Sequence, residues 1–319
     1  LIAGAQDAEK FCGADVPLLK QFYLCDKPQK RVFLNPIING KNIDFEIKPG
    51  RCEIEGWNSR GNLNCPICAN ITPISEVKRQ FKACETKEKL IAVIKESEGG
   101  KSYELPTAQD LKNGMVSCDN KLRPKEKMII GNNRNFNTPG WGIDSWGQMF
   151  TNRQLLFINN MIENLSQLKK QLNHDSDYSK AVIHYLVILI DRLIVINTSF
   201  GRWHVGRETM EHPFARQAIP MIFDFPESNP FCSSTGSAAN QISWLVRYIE
   251  SEGNTPFFST CCNSSSGERT QFEEKFIDAV VTDPPYYDAI AYADLSDFFY
   301  IWLKKTLGDV YPLNFAFPL

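Results

Sequence analysis

The sequence has little net charge, because 35 Lys and Arg residues face 37 Asp and Glu residues and leave a formal net charge of −2. A protein whose whole surface holds nucleic acid by charge would be far more basic, so any such contact must be a local patch. Charged residues make up 23% and hydrophobic residues 43%, which are ordinary values for a soluble globular protein. This composition excludes wholesale disorder, collagen and a coiled coil, and 319 residues predict about two domains.

Cysteine and histidine are also scarce. Ten cysteines in 319 residues are too few for a secreted disulfide scaffold, and the sequence does not open with a secretory signal. We therefore expect reduced thiols or metal ligands in a cytoplasmic protein. The four histidines are scattered, and neither a Ser/His/Asp grouping nor a phosphate-binding loop occurs.

One apolar run, residues 181–200, is long enough to be considered as a membrane span. It contains His184, Asp191 and Arg192, which are costly to place in a hydrocarbon core. The run therefore predicts a buried helix and no membrane partner.

The chain divides into three predicted segments. Residues 1–100 hold short strand-like runs, and Asn39-Gly40 between two of them indicates a hairpin turn because both residue types accept positive φ. Residues 101–218 combine loops with two helices, predicted from Thr151 to about Leu172 and over 181–200, which would pair as a helical hairpin. In residues 219–319, strand-like runs at 221–225 and 276–281 alternate with helical runs at 238–251 and 294–305. This alternation predicts a parallel, doubly wound α/β sheet.

The most informative string is Asp283-Pro284-Pro285-Tyr286, which follows the apolar run at 276–281. Such a string arises by chance in roughly one in several hundred chains of this length. Open α/β sheets bind their ligands at the carboxyl ends of strands, which is where this string would lie.

The four residues offer chemistry that suits a planar aromatic amine. The Asp283 carboxylate and the Pro284 carbonyl can accept both protons of an exocyclic amino group, which makes its nitrogen more electron-rich. Tyr286 can stack on a base swung out of the duplex. A methyl sulfonium placed in line would then be attacked directly, with positioning as the main catalytic term. The structural alternative is a strand-ending turn with an aspartate cap and a core tyrosine.

Asp283-Pro284-Pro285-Tyr286 matches the motif of amino-group DNA methyltransferases, which methylate adenine N6 or cytosine N4. The longer string at 278–305 resembles one branch, the zinc-ribbon-containing adenine-specific DNA methylases, and strings at 146–155, 214–221 and 224–231 agree with it. The resemblance implies a Rossmann-like, S-adenosylmethionine-dependent methyltransferase sheet whose C-terminal part is residues 219–319. It also implies DNA as substrate, and a restriction-modification or anti-phage role with other subunits as partners. The residues that it assigns to the target base are Asp283, Pro284, Pro285 and Tyr286, with Tyr287 and Asp288 shaping the same pocket.

Two parts of the family pattern are missing or altered. The family resemblance implies a Phe-x-Gly-x-Gly loop that binds S-adenosylmethionine, and no such string occurs in the 319 residues. Because the sequence starts at Leu1 and ends on an apolar stretch, we expect an internal fragment of a longer enzyme, which alone binds the methyl donor weakly or not at all.

The family's ribbon holds tetrahedral zinc with two Cys-x-x-Cys knuckles. Here the second knuckle is intact, while the first reads Glu9-Lys10-Phe11-Cys12.

Three candidate zinc ligands thus remain, Cys12, Cys65 and Cys68. A fourth ligand would come from Glu9, Cys25 or Cys52. The alternative is a ribbon that has lost its metal and persists as a β module.

Three further features are weaker. A basic run could contact phosphates, although a solvated loop is favoured; its members are Lys121, Arg123, Lys125 and Lys127. The Gly/aromatic loop at 134–142 could touch DNA or cover the edge of the core. Asp224 and Glu227 could lie near the cofactor, but acids at strand ends are common.

Two rival functions stay open at this point. The first is the same chemistry on cytosine N4 or on an RNA base, which the motif fits equally well. The second is a catalytically inactive relative that acts as a DNA-binding or interaction module. The altered knuckle and the missing glycine loop favour this rival, while the intact Asp283-Pro284-Pro285-Tyr286 string weighs against it.

Overall fold

The computed structural model of the 319-residue chain describes residues 2–4, 12–118, 123–130, 135–172, 176–234, 236–253, 255, 272–273, 275–284 and 290–316. In these ranges the fold is mixed α/β, with small antiparallel sheets and six α-helices. The mixed α/β class is confirmed, and the strands of the described ranges form no parallel sheet.

Short antiparallel strands dominate the first 104 residues. Their bounds are β1 Ile2–Gly4, β2 Asp15–Pro17, β3 Tyr23–Lys27, β4 Lys30–Asn39, β5 Asn42–Pro49, β6 Asn58–Ser59, β7 Asn62–Asn64, β8 Ile71–Thr72, β9 Val93–Ser97 and β10 Gly100–Glu104. They pair as β1-β2, β3-β4-β5, β6-β7-β8 and β9-β10. The β9-β10 hairpin spans the predicted segment boundary at residue 100. A later hairpin joins β11 Arg202–His204 and β12 Thr209–Glu211.

The longest hairpin, β4-β5, confirms a turn at the predicted place, although its two turn residues are Gly40 and Lys41 and Asn39 is the last residue of β4. Asn39 pairs with Asn42 across the two turn residues, and Gly40 has a φ of 60°, which glycine adopts without strain. Pairing of β4 with β3 ends at Phe33, so Pro36 pairs only with Phe45 of β5. Proline lacks a backbone N–H and is tolerated in a strand where one side has no partner.

Six α-helices lie in the described residues, together with short 3-10 helices at Thr138–Trp141, Trp146–Met149 and Pro213–Arg216. The α-helices are α1 Ile74–Lys82, α2 Ala108–Gly114, α3 Asn152–Gln171, α4 Asp177–Ile196, α5 Ala238–Glu252 and α6 Tyr292–Leu307. Thr151 caps α3, because its side chain accepts a hydrogen bond from the Gln154 amide while the Gln154 side chain accepts one from the Thr151 amide. The predicted helical hairpin of α3 and α4 is confirmed, and so are the helices expected near 238–251 and 294–305.

A single cluster of buried apolar side chains runs from Ala14 to Leu307. Helix α6 packs through Phe298 and Trp302 on Phe150, with ring centroids 6.1 and 5.4 Å apart. None of the helices in the described part of the chain has the length and apolar character needed to cross a bilayer.

The two predicted strands of the C-terminal segment are not strands in the structure. Residues 221–225 are irregular, although Met221, Ile222 and Phe223 are buried. Residues 276–281 are irregular and exposed, and Val281 is 97% exposed. A central strand of a parallel sheet needs a neighbour on each side, and the described residues supply none for either run.

Candidate functional site

Three cysteine sulfurs converge in the β module. The Sγ atoms of Cys12, Cys65 and Cys68 all lie within 4.8 Å of one another, and those of Cys12 and Cys65 are 3.6 Å apart. Two thiolates on one tetrahedral zinc ion, each with a Zn–S distance of about 2.3 Å, would lie roughly 3.8 Å apart. The spacing of the described sulfurs therefore fits a zinc ion.

The chain positions Cys65 and Cys68 through a tight turn between β7 and β8. The Ala69 amide donates to the Cys65 carbonyl, and the Cys65 amide donates to the Asn70 carbonyl, both at 3.0 Å. Ala69 has a φ of 61°, so the backbone reverses directly after the second cysteine. We refer to residues 65–70 as the cysteine turn. Cys12 reaches it from the segment before β2.

The two thiols of the cysteine turn differ in how easily they ionise. Burial raises the pKa of Cys65 to about 11, although the backbone amides of Cys68 and Ile67 point at its sulfur and oppose that shift. The backbone amide of Asn70 lowers the pKa of Cys68 to about 7. Amides directed at sulfur supply the hydrogen bonds that a metal-bound thiolate accepts.

The described residues supply three ligands to this cluster. Cys25 and Cys52 do not belong to it, and the Cys52 thiol lies 3.7 Å from the Ile54 carbonyl. Glu9, the other candidate for a fourth ligand, lies outside the described residues. The set therefore fits a zinc ion held by Cys12, Cys65 and Cys68 with one position left for a further ligand.

The string Asp283-Pro284-Pro285-Tyr286 is described only in part. Asp283 and Pro284 are exposed and belong to the described residues 275–284, which we refer to as the motif segment. Pro285 and Tyr286 lie outside the described residues, and so do Tyr287 and Asp288. The predicted pocket around the target base thus stays a prediction.

Glu227 anchors the start of α3. Its carboxylate accepts hydrogen bonds from Arg153 at 2.7 and 2.8 Å and from the Thr151 hydroxyl at 3.0 Å. Arg153 also donates to the Gly114 carbonyl at 3.0 Å. These contacts give Glu227 a structural role. Asp224 is largely shielded from solvent, and burial raises the pKa of its carboxyl.

In the described residues, Arg123 of the basic run and the aromatic loop contact the interior, whereas Lys125 and Lys127 are exposed. Arg123 donates to the Phe150 carbonyl at 2.9 Å, and Lys127 pairs with Asp144 at 2.8 Å. Lys121 lies outside the described residues. Phe136 and Trp141 of the aromatic loop are buried, so this loop covers the core.

Sequence reasoning missed a buried carboxylate, Glu208, in the β11-β12 hairpin. Its side chain is bonded by Lys27, by Lys30 at 2.6 Å and by the Tyr103 hydroxyl at 2.6 Å. Burial opposes its ionisation, but these donors outweigh that effect and lower the pKa of Glu208 to about 2. The donors lie more than 100 positions away along the chain, so no local signal in the sequence predicts them.

No family model, curated protein or solved structure matches the chain.

Proposed function

We propose that this chain is part of an S-adenosylmethionine-dependent DNA methyltransferase that modifies the exocyclic amino group of adenine, and that its β module holds zinc. The observation that carries the first part is the string Asp283-Pro284-Pro285-Tyr286, placed after the apolar run at 276–281. The exposure of Asp283 and Pro284 supports it, because a base-binding group must be accessible to its substrate. The protein would act in the cytoplasm, within a modification or defence system.

The chemistry assigned to this chain is the positioning of the amine. The Asp283 carboxylate and the Pro284 carbonyl each accept one N–H of the amino group, which orients the nitrogen lone pair. Tyr286 stacks on the flipped base. S-adenosylmethionine, when bound, supplies an electrophilic methyl group. The glycine-rich loop of the resembled family is not among these 319 residues, so we assign no donor-binding residue here.

Product analysis tests the methyltransferase proposal. The natural full-length protein that contains these residues is incubated with unmethylated duplex DNA and labelled methyl donor, and the digested nucleosides are identified by mass. We expect N6-methyladenine from the wild type and a loss of about 100-fold or more in Asp283→Asn, because a neutral amide is a weaker acceptor for the amino N–H than a carboxylate. Asp278→Asn is the matched control, since Asp278 is an exposed aspartate five positions upstream.

The alternative outcomes identify the rivals. N4-methylcytosine or a methylated RNA base would favour the same chemistry on another amine. No methylated base, with donor binding intact, would contradict the enzyme and favour an inactive DNA-binding or interaction module.

The zinc proposal rests on the converging sulfurs of Cys12, Cys65 and Cys68. Elemental analysis of freshly reduced protein should give about one zinc per chain. Cys68→Ser should lose most of it, whereas Cys84→Ser should keep it, because Cys84 is exposed and outside the cluster. A ratio near zero in the wild type would show that the ribbon has lost its metal.

A further inference from the structure

An open pocket lies where the turn between β3 and β4 meets the end of β5. Its volume is about 510 Å³, and its walls include Pro28, Pro49 and Gly50. Gly50 has a φ of 112°, and no atom lies within 4 Å of the position that a Cβ would take there. The pocket is therefore wide at this rim, and the prolines keep its walls rigid.

The residues that line this pocket bring three cations and no carboxylate. The cations are Lys30, Arg31 and Arg51. Arg31 pairs with Asp26 at 2.9 Å, but both side chains are exposed, so the pair is weak and its guanidinium can exchange partners. Arg51 is exposed and forms no ion pair with any residue of the described ranges.

Lys30 connects the pocket to a second group of cations around Glu208. Three ammonium groups converge on Glu208, since Lys27 and Lys30 bond its carboxylate and Lys101 bonds its backbone carbonyl. One carboxylate cannot neutralise three ammonium groups, so this cluster keeps an excess of positive charge. In a chain whose formal net charge is −2, the region is a local basic patch of the kind that polyanion contact requires.

The donors available to an anion here are side chains. The Gly50 amide already donates to the Arg31 carbonyl at 2.9 Å. Guanidinium groups on an open rim suit an extended chain of phosphates better than a small ligand that must be enclosed. We propose that this pocket, through Arg51 and Arg31, binds the phosphodiester backbone of duplex DNA without reading its sequence. The choice of DNA as the polyanion rests on the proposed function.

Salt-dependent binding tests this inference. Fluorescence anisotropy with a labelled 20-bp duplex of arbitrary sequence gives the affinity of the 319-residue chain at several salt concentrations. The logarithm of the affinity falls linearly with the logarithm of the salt concentration. Each lost phosphate contact makes this slope shallower by about 1. We expect Arg51→Gln to weaken binding roughly 5- to 15-fold at low salt with that change in slope. Arg51→Lys should retain most of the affinity because it keeps the charge.

Arg60→Gln is the matched control, because Arg60 is an exposed arginine of the same β module outside the pocket. An equal loss in Arg60→Gln, or no change in Arg51→Gln, would overturn the proposal. The proposal would also be overturned if Arg51 were needed for binding to vesicles that contain phosphatidylserine but not for binding to the duplex.

The two proposals fail separately. If duplex binding depends on Arg51 but no methylated base is formed, the pocket proposal is supported and the methyltransferase proposal is contradicted. If the protein methylates adenine but its affinity for the duplex does not depend on Arg51, the methyltransferase proposal is supported and the pocket proposal is contradicted.

Discussion

The cysteine turn and the motif segment differ in how much of their structure is local. The cysteine turn is closed by hydrogen bonds among six consecutive residues and packs Cys65 into the core. The motif segment carries the more distinctive sequence, yet it is irregular and exposed over 275–284. A distinctive sequence and regular local structure are thus separate properties. The first depends on chemistry, whereas the second depends on neighbours along the chain or in space.

Metal removal should produce the largest difference between the two regions. If zinc joins Cys12 to the cysteine turn, a chelator should remove much of the free energy of unfolding of the β module, because the binding free energy of a structural zinc ion contributes to folding. Hydrogen exchange of residues 275–284 should not change, because this segment is already exposed. Exchange measured by mass spectrometry with and without chelator checks both. Equal deprotection of the two regions would show that the motif segment depends on the metal.

A matched pair of truncations should give the next largest difference. Leu63 in β7 is 0% exposed and Val281 is 97% exposed. Leu63→Ala should cost about 2–5 kcal/mol through the cavity that it leaves. Val281→Ala should change the stability by less than about 0.5 kcal/mol. Urea unfolding of the two variants measures both changes in the free energy of unfolding. Similar losses of stability in the two variants would mean that Val281 is covered in solution.

Glu208 should link stability to pH. Its pKa is about 2 in the fold and about 4.3 in an unfolded chain, so its stabilising effect is complete above pH 5 and fades as the pH falls towards 2. Glu208→Gln should therefore lower the free energy of unfolding by roughly 2 kcal/mol at pH 7. The difference from the wild type should shrink in urea titrations below pH 4. Glu211→Gln in β12 is the control, and a loss that does not vary with pH would contradict the ionic role.

The smallest effect is expected at Lys127, which was a candidate phosphate contact in the sequence. Its ion pair with Asp144 is exposed on both sides, with 66% and 37% of the side chains accessible. Lys127→Ala should change stability by at most about 0.5 kcal/mol. It should also leave duplex affinity unchanged, in contrast to Arg51→Gln. A lower affinity of Lys127→Ala for the duplex would instead favour the basic run as the surface that contacts DNA.

Local signals account for the features that the sequence predicted. The turn after Asn39 needs only its own two residues, and the start of α3 needs only Thr151 and Gln154. The run at 276–281 was predicted as a strand from its apolar character, but a strand exists only when another strand pairs with it. Glu208 could not be found, because its partners come from β3, β4 and β10. The approach of Cys12 to Cys65 across 53 residues was expected from family resemblance alone.

Pro36 bears on how copies of this chain meet in solution. The Leu34 N–H donates to the Phe22 carbonyl on the β3 side of β4, and position 36, two residues further on, faces that same side. An N–H there would be an open donor on a long hairpin, able to recruit a strand from a second molecule. Proline removes that donor, so this edge of the hairpin offers one backbone group fewer to a second molecule.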